Sequence, residues 1–297
     1  MKKPAWLKTK YPAGAKFQAL NEALHEFSLN TVCTGSKCPN MGECWSRGAA
    51  AFMIMGNICT RNCRFCAVKK GKEGEPLDTS EPLRIAEAAR KLGLRYVAIT
   101  SVDRDDLDDG GAGHFAECIK AIKSLDNNVI VEALIPDFQG NAECLLKIAR
   151  AHPDIIGHNI ETVSEFQALA RDRRAGYGLS LEVLRKIKQM SSSVYTKSSL
   201  MLGLGETEDM VHRAMEDLRN TGVEILTLGQ YLRPSKKHIE VKEYISPEKF
   251  TYYEKKAEDM GFLSVQSGPL VRSSYKADYA ISVKDKRVQN HTISREE

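Results

Sequence analysis

Short apolar runs rich in β-branched residues alternate with longer amphipathic stretches along most of this chain. Such alternation is typical of parallel sheets whose strands are joined by helices packed against the sheet. Helical patterns, for example at residues 83–92 and 179–190, lie between the apolar runs. The sequence therefore predicts six strands, at residues 52–56, 96–100, 129–134, 155–160, 195–202 and 223–229.

Six strand–helix units are too few to close an eight-stranded barrel. After Gly229 the chain offers one more helical pattern, at 247–260, and one possible strand, at 263–267. We therefore predict an α/β fold, a partial (β/α)6 TIM-type barrel open on one side, with N- and C-terminal extensions that cover the opening. The predicted units are an N-terminal extension at 1–48, the barrel at 49–270, and a C-terminal extension at 271–297 that is disordered after residue 282.

Composition narrows the class of protein. Lysine and arginine total 43 and aspartate and glutamate 39, and this net charge of +4 is too small to require a nucleic acid. The excess is compatible with an acidic protein partner. No apolar run approaches the length of a membrane span, and no apolar leader follows Met1. We expect a cytoplasmic protein with reduced thiols and neither a membrane nor a nucleic-acid partner.

The cysteines carry the clearest chemical signal. Six of the eight lie between Cys33 and Cys66, as two triplets. The second triplet has the spacing C-x3-C-x2-C and suits a [4Fe–4S] cluster in which one of the four irons is left open. The first has the spacing C-x4-C-x5-C. The triplets are Cys33, Cys38 and Cys44, and then Cys59, Cys63 and Cys66.

Zinc and disulfides are the alternatives for these cysteines. Structural zinc sites usually take ligands in pairs, and no partner pair appears at the usual distance. Disulfide frameworks belong to small secreted domains, which this chain does not resemble. The remaining two, Cys118 and Cys144, lie among apolar neighbours in helical patterns and are predicted to be small core residues. The histidines form no paired arrangement that would indicate a dedicated zinc or non-haem iron site.

Polar residues follow the predicted strands where each strand ends. In parallel α/β folds these ends meet on one face, so the side chains are expected to assemble a single site. Glycines 203 and 205 would allow a ligand to approach the backbone, and Asn159 and Glu161 would point to one side of their strand. Together these features suit a nucleoside-bearing cofactor. The segments are 100–106, 158–161, 203–206 and 230–234.

These residues resemble the lipoyl synthase family of radical S-adenosylmethionine enzymes over about residues 25–280. Cys59–Cys66 has the form of the radical S-adenosylmethionine signature, and the first triplet is the most specific feature. Two positions depart from the usual pattern, Ser199 and Lys276. The other matching segments are 64–68, 100–107, 158–163, 203–207 and Arg272-Ser273-Ser274-Tyr275.

The resemblance implies two [4Fe–4S] clusters. Cys59, Cys63 and Cys66 would hold the cluster whose open iron binds S-adenosylmethionine, and reductive cleavage there would give a 5′-deoxyadenosyl radical that removes hydrogen from an unactivated methylene. Cys33, Cys38 and Cys44 would hold an auxiliary cluster that donates sulfur, with Ser274 as its fourth ligand and Ser273 as the alternative. The product is a lipoyl group, made by inserting sulfur at carbon 6 and carbon 8 of a protein-bound octanoyl-lysine.

The resemblance also implies contacts and partners. Lys197, Gln230 and Arg233 are candidates for the wall facing the acyl chain or the carrier. The partners are octanoylated lipoyl carrier domains, on the acyltransferase subunits of 2-oxoacid dehydrogenases and on the glycine cleavage H protein, an electron donor such as flavodoxin or ferredoxin, and iron–sulfur carrier proteins. The residues expected near S-adenosylmethionine are Ser101, Asp103, Asn159, Glu161, Arg174, Gly205 and Glu206.

Two alternatives stay open at the level of sequence. A related radical enzyme, a methylthiotransferase or one like biotin synthase, also joins C-x3-C-x2-C to an auxiliary cluster but leaves C-x4-C-x5-C unexplained. A zinc-stabilised nucleic-acid-binding module would use Lys69-Lys70-Gly71-Lys72 as its basic contact, although arginine and aromatic residues are not interleaved there.

Overall fold

A computed structural model describes residues 2–8, 14–36, 38–46, 51–125 and 128–274. Within these ranges the chain forms one large sheet and one small one. The large sheet contains eight strands, and the small sheet pairs β3 with β4. The strands are β1 (Asn30–Thr31), β2 (Ala51–Ile54), β3 (Ile58–Cys59), β4 (Lys69–Lys70), β5 (Tyr96–Ser101), β6 (Ile130–Leu134), β7 (Ile155–Gly157), β8 (Tyr195–Leu202), β9 (Ile225–Gln230) and β10 (Ser264–Gly268).

The large sheet has the order β1-β2-β5-β6-β7-β8-β9-β10. Strand β1 is antiparallel to β2, and the other seven strands are parallel. Among the described residues β10 does not pair back to β1 or β2, so the barrel is open. The predicted partial barrel is therefore confirmed, with all six predicted strands present. The possible strand near residue 265 also forms, and it adds a seventh parallel strand beside β9.

Helices connect successive strands, as the amphipathic patterns predicted. Several begin at a side-chain cap: Asn141 accepts from the amide of Cys144, Thr207 from that of Met210, and Ser246 from that of Lys249. Short 3-10 helices occupy Ala5–Leu7, Phe138–Gly140 and Ser164–Phe166. The α-helices are α1 (Ala15–Glu26), α2 (Val32–Gly35), α3 (Met41–Ser46), α4 (Glu81–Lys91), α5 (Ala112–Leu125), α6 (Ala142–Arg150), α7 (Gln167–Ala170), α8 (Tyr177–Met190), α9 (Glu208–Asn220) and α10 (Pro247–Asp259).

The strands are apolar on both faces, which is what a sheet covered by helices on one side and closed around a core on the other requires. In β5, Val97 and Ile99 belong to the core packed under the helices, whereas Tyr96 and Ala98 belong to the cluster inside the barrel. Cys118 and Cys144 are buried in the helix-facing core, as predicted. No helix among the described residues is both long enough and apolar enough to span a membrane.

The N-terminal segment lies against the first edge of the sheet. Phe17 of α1 stacks on Trp45 of α3 with ring centroids 5.0 Å apart. Arg84 of α4 donates to the backbone oxygens of Phe27 and Ser28 at the end of α1. These contacts hold the segment that carries the first cysteine triplet beside β2. The predicted disordered tail lies outside the described residues.

A buried ion pair crosses the interior of the barrel. Lys197 of β8 donates to the Glu132 carboxylate of β6 at 2.7 Å, and both side chains are almost fully buried. The Tyr96 hydroxyl donates to the same carboxylate oxygen. Lys197 does not line the cavity described below, so the expectation that it faces the acyl chain is wrong. The pairing of β6, β7 and β8 instead places it opposite an acid.

Removal of one member of this pair should destabilise the protein. We expect Lys197→Met to lower the free energy of unfolding by about 3–5 kcal/mol, because it leaves the Glu132 carboxylate buried without its cation. The double variant Lys197→Met/Glu132→Gln should recover most of that loss, since an uncharged amide still accepts from Tyr96. Denaturant unfolding measures both, and a double variant no more stable than the single one would contradict this account.

Candidate functional site

A cavity of about 460 Å³ opens at the carboxyl ends of the parallel strands. All three cysteines of the second triplet line it, together with Cys38 of the first triplet. Polar side chains from several strand ends and from the C-terminal segment complete the wall. Among them are Arg61, Lys70, Ser101, Asp103, Asp137, His158, Asn159, Glu161, Arg171, Gln230, Arg233, Arg272 and Ser273.

The second triplet sits on a loop closed by backbone pairing. Strands β3 and β4 pair in parallel, with Cys59 opposite Lys70. The Thr60 amide donates to Asp103 O at 3.0 Å, and the Arg64 amide donates to Ala170 O at 2.8 Å. The loop is therefore fixed to the segment after β5 and to the end of α7.

A buried arginine inside this loop joins it to two further strand ends. Arg61 is only 3% exposed. Its guanidinium donates to Asp105, which follows β5, at 2.8 and 2.9 Å, and to Asp137, which follows β6, at 2.5 and 2.7 Å. Burial opposes ionisation of both carboxyl groups, but the bonds from Arg61 outweigh it and hold the pKa of each below its usual value.

A second arginine braces the loop from outside the cavity. Arg174, predicted near the cofactor, is 39% exposed and does not line the cavity. It donates to Thr60 O at 2.7 Å and pairs with Asp172 and Asp105. Arg171, three residues earlier and 8% exposed, is the arginine that lines the wall. It donates to Gln167 and Ser180.

The sulfur atoms are buried but face backbone amides. Burial raises the pKa of the Cys59 thiol to about 11 and that of Cys63 to about 12, and it also raises that of Cys66. The Asp172 amide donates to Cys63 Sγ at 3.3 Å, while the amides of Arg61 and Val68 favour the thiolates of Cys59 and Cys66. Such thiols ionise when a metal supplies positive charge, and N–H···S bonds then stabilise the anionic sulfur.

Two side chains also hold the loop through its carbonyl groups. Lys70 Nζ donates to Cys63 O at 2.8 Å and to Cys66 O at 3.0 Å. His238 Nε2, from the segment after β9, lies 3.1 Å from Cys66 O. The donor set, three converging thiols with amides aimed at sulfur, therefore fits an iron–sulfur cluster.

Four of the residues predicted to contact the cofactor line the cavity: Ser101, Asp103, Asn159 and Glu161. Ser101 Oγ is buried and has no hydrogen-bond partner among the described residues, so it is free to bond a ligand. Asn159 Nδ2 donates to Glu161 Oε1 at 3.1 Å. Glu161 has a φ of +66°, a strained conformation typical of functional positions.

Two acids of this wall, Asp103 and Glu161, have pKa values raised above the usual range. Burial and the neighbouring carboxylates Asp137 and Asp105 raise the pKa of Asp103 to about 6, although Arg61 acts in the opposite direction. Burial raises the pKa of Glu161 as well. Both groups would ionise more readily beside a bound cation.

Gly205 and Glu206 do not line the cavity. The Glu206 carboxylate accepts from the amides of Gly203 and Leu204 and so closes the turn after β8. Gln230 does line the cavity, but its side-chain amide is occupied: it donates to Leu202 O and Glu243 O and accepts from Ile245 N. These residues shape the loops behind the wall.

The first triplet spans the N-terminal helices. Cys33 lies in α2 and Cys44 in α3, and Cys38 lies between them on the cavity wall. The Cys38 amide donates to Cys33 O at 2.9 Å. Burial raises the pKa of the Cys38 thiol. Asn40, which is 2% exposed, donates to Leu270 O and so ties this loop to the C-terminal segment.

The C-terminal segment meets the first triplet at the cavity. Arg272 and Ser273 line the wall, whereas Ser274 is half-buried and is not among the lining residues. Arg272 is buried close enough to Cys38 for its charge to favour that thiolate. The segment lies so close to β9 that a Cβ built on Gly229 would stand 2.1 Å from Val271 O. Glycine at position 229 is therefore what admits it.

Several residues of this site escaped sequence analysis. Asp137 follows β6, so the strand-end rule used elsewhere could have found it. Arg61 lies within the C-x3-C-x2-C spacing and Lys70 follows it four residues after Cys66. Arg171 and Asn40 carry no local signal, because their roles depend on contacts with distant segments.

Comparisons with known proteins agree with this architecture. Residues 53–218 match the radical SAM superfamily, and residues 1–38 match the N-terminal domain of lipoyl synthase of that family. The chain is 53% identical over 283 residues to the lipoyl synthase of Caldanaerobacter subterraneus subsp. tengcongensis, covering 95% of this chain and 98% of that protein. The chain belongs to the lipoyl synthase family of radical SAM enzymes.

A plant relative and two solved structures extend the comparison. The mitochondrial lipoyl synthase of Picea sitchensis is 52% identical, over 93% of this chain and 73% of that protein. Methylornithine synthase (PylB) has a TM-score of 0.55 at 12% identity, over 73% of this chain and 70% of that one. The hydrogenase maturase HydG of Carboxydothermus hydrogenoformans also reaches 0.55, at 14% identity over 91% and 76% of the two chains. The two structures share the fold.

Family membership decides between the alternatives left open by the sequence. The match to the lipoyl synthase N-terminal domain covers residues 1–38, which include Cys33 and Cys38 of the first triplet. The protein is a sulfur-inserting radical SAM enzyme, and the zinc-stabilised nucleic-acid-binding module is excluded as its class.

Buried His158 should make stability depend on pH. Its Nδ1 donates to Ile135 O and its Nε2 accepts from Ser180, and burial lowers its pKa to about 4 from 6.5. Between these values the unfolded chain binds the proton more readily, so the free energy of unfolding should rise by about 3 kcal/mol from pH 4 to pH 6.5. In His158→Gln this contribution should vanish from denaturant titrations. If the free energy of unfolding changed equally with pH in the wild type and in His158→Gln, this role of His158 would be contradicted.

Gly229→Ala should detach the C-terminal segment, because its methyl group would collide with the backbone at Val271. We expect faster proteolytic cleavage after residue 268, with the barrel itself intact. Gly178→Ala in α8 is the matched control, since a Cβ there meets nothing within 4 Å. Equal cleavage rates in the two variants would show that the segment does not depend on this contact.

Proposed function

We propose that this protein inserts two sulfur atoms, at carbon 6 and carbon 8, into the octanoyl-lysine of a lipoyl carrier domain. One observation carries the proposal: a single cavity is lined by Cys38 of the first triplet, by all three cysteines of the second, and by Ser273. A radical source and a sulfur source held in one cavity can act on the same acyl chain.

Cys59, Cys63 and Cys66 would hold a [4Fe–4S] cluster with an open iron for S-adenosylmethionine. When bound, these groups supply a carbon radical able to take hydrogen from an unactivated methylene. The protein's own task is to position the loop, through Arg61 and Lys70, and to keep water away from the radical.

The wall residues suit the charges of S-adenosylmethionine. Asp103 and Glu161 would face its cationic groups, Arg171 its carboxylate, and the unpartnered hydroxyl of Ser101 a hydrogen-bonding group of the ligand. Asn159 would orient Glu161. Arg174, Gly205 and Glu206, which we expected at this ligand, would act by shaping the loops that present it.

Cys33, Cys38 and Cys44 would hold the auxiliary cluster, with a serine of the C-terminal segment as fourth ligand. Ser274 is our assignment, and the position of Ser273 on the wall supports the alternative. Arg272 would offset the negative charge of thiolate ligands. In this scheme residues 1–48 and 271–297 are extensions that together supply one cluster to the barrel at 49–270.

The partners follow from this chemistry. We propose octanoylated carrier domains of 2-oxoacid dehydrogenases and of the glycine cleavage system as substrates, flavodoxin or ferredoxin as electron donor, and iron–sulfur carriers for cluster supply. A cytoplasmic location is proposed on the ground that reduced thiols are needed, although several relatives are named as mitochondrial.

Anaerobic reconstitution followed by reaction tests the proposal. We expect about eight irons and eight sulfides per chain, as for two cubane clusters. An octanoyl-lysine carrier incubated with reductant and S-adenosylmethionine should gain two sulfurs as a dithiol, and it should lose two hydrogens once that dithiol is oxidised in air to the cyclic disulfide, both measured by mass spectrometry. A carrier recovered unchanged would contradict the proposal.

Two cysteine variants separate the roles of the triplets. Cys63→Ala should bind about four irons and form no 5′-deoxyadenosine. Cys38→Ala should also lose one cluster but still form 5′-deoxyadenosine, with no sulfur transferred. Cys118→Ala, in the helix-facing core, is the control and should keep both activities. Sulfur transfer by Cys38→Ala would overturn the assignment of the first triplet.

A further inference from the structure

We propose that two basic segments form a docking surface for an acidic carrier domain, which delivers its octanoyl-lysine into the cavity. The segments are residues 64–72, which contain β4, and residues 232–242, which follow β9. We call them together the basic rim. The inference rests on the proposed function and adds to it where the protein substrate binds.

The basic rim concentrates the positive charge of the protein. Its two segments contain eight lysines and arginines and a single acid, Glu240, a net charge of +7. The whole chain carries only +4, so the rest of the molecule is net negative, at −3. Charge divided in this way gives one face a positive potential that attracts an anionic partner.

The two segments are adjacent, and they reach the cavity. Ile239 N donates to Arg64 O at 3.3 Å, and His238 Nε2 lies 3.1 Å from Cys66 O. Lys70 comes from one segment and Arg233 from the other, and both line the cavity. A domain bound on the basic rim therefore stands beside the opening through which a lysine-linked chain must enter.

The outer lysines of the basic rim form no ion pair with the described residues of the chain. Lys69, Lys72, Lys236 and Lys237 are exposed, and none forms an ion pair within the described part of the chain. Lysines on other faces do form such pairs, for example Lys91 with Glu26 and Lys120 with Glu117. Unpaired cations of this kind remain available to acids of another molecule.

The segment 232–242, which carries Lys236 and Lys237, is held in place by bonds within the protein before any partner binds. Ile239 is buried, and its carbonyl oxygen accepts from the Tyr231 hydroxyl at 3.0 Å. Arg233 donates to His238 O and Lys236 O from within the loop. Little ordering entropy is then lost on docking.

The composition of the basic rim favours a protein over a nucleic acid. Its one aromatic residue, Phe65, is half-buried on the cavity wall. Single-stranded nucleic acids bind to stacking platforms of exposed aromatic side chains, which this surface lacks. Carboxylates of a folded domain need only exposed cations.

Kinetics with two substrates test the proposal. The substrates are an octanoylated carrier domain of net negative charge and a short uncharged peptide that contains octanoyl-lysine. For Lys236→Glu/Lys237→Glu and for Lys69→Glu/Lys72→Glu we expect KM for the domain to rise about tenfold or more, with kcat nearly unchanged. KM for the peptide should stay at the wild-type value. Lys120→Glu, an exposed lysine of α5, is the matched control and should leave both unchanged.

Ionic strength provides a measurement that needs no variant. For the wild-type protein, added salt should raise KM for the domain but not for the peptide, because screening weakens contacts between exposed charges. Equal KM values for the domain in the variants and the wild type would overturn the docking surface. So would variants that bind a single-stranded RNA more weakly than the wild type while their KM for the domain is unchanged. Failure of the proposed function looks different, since the wild-type protein would then add sulfur to neither substrate.

Discussion

The site depends on one buried guanidinium. Arg61 lies between Cys59 and Cys63 and bonds at once to Asp105 and Asp137, which follow two adjacent parallel strands. A planar guanidinium that donates to two carboxylates fixes both the distance and the orientation of the loop relative to the two strands. The ammonium group of lysine has no such fixed donor geometry and could not replace it. Because the arginine belongs to the cysteine loop, the loop takes its position from the sheet. A metal cluster and its ligand could then be held against the ends of β5 and β6.

Electrostatics at this cavity favour occupation by charged groups. Buried thiols with raised pKa values and the acids Asp103 and Glu161 all resist ionisation while they face one another. Iron and a sulfonium ligand would supply the positive charge that lets them ionise, so binding of either group should strengthen binding of the other. The cations already present act mainly elsewhere: Lys70 bonds to carbonyl groups of the loop, and Arg171 bonds to Gln167 and Ser180.

The segment of the first cysteine triplet meets the segment after β10 because of short-range packing constraints. Asn40 donates to Leu270 O, and Gly229 leaves room for Val271. The N-terminal cysteines and the C-terminal serines therefore approach the barrel opening together, although more than 200 residues separate them in sequence. Lys70 and Arg233 of the basic rim line the same cavity. A substrate carried on a second protein would meet the radical source and the sulfur source there.

Sequence alone determined the features that depend on local pattern. The six strands and the open barrel followed from the period of apolar residues, and the iron–sulfur chemistry followed from cysteine spacing within one short stretch, since both are properties of neighbouring residues. Tertiary structure decided whatever depends on register and on distant partners. Pairing of β6, β7 and β8 placed Lys197 opposite Glu132 inside the barrel, and the path of the chain after β7 turned Arg171 inward and Arg174 outward. Arg171 finds its partners in Gln167 and Ser180, whereas Arg174 pairs with Asp172 and Asp105, and a local sequence pattern specifies neither set of contacts.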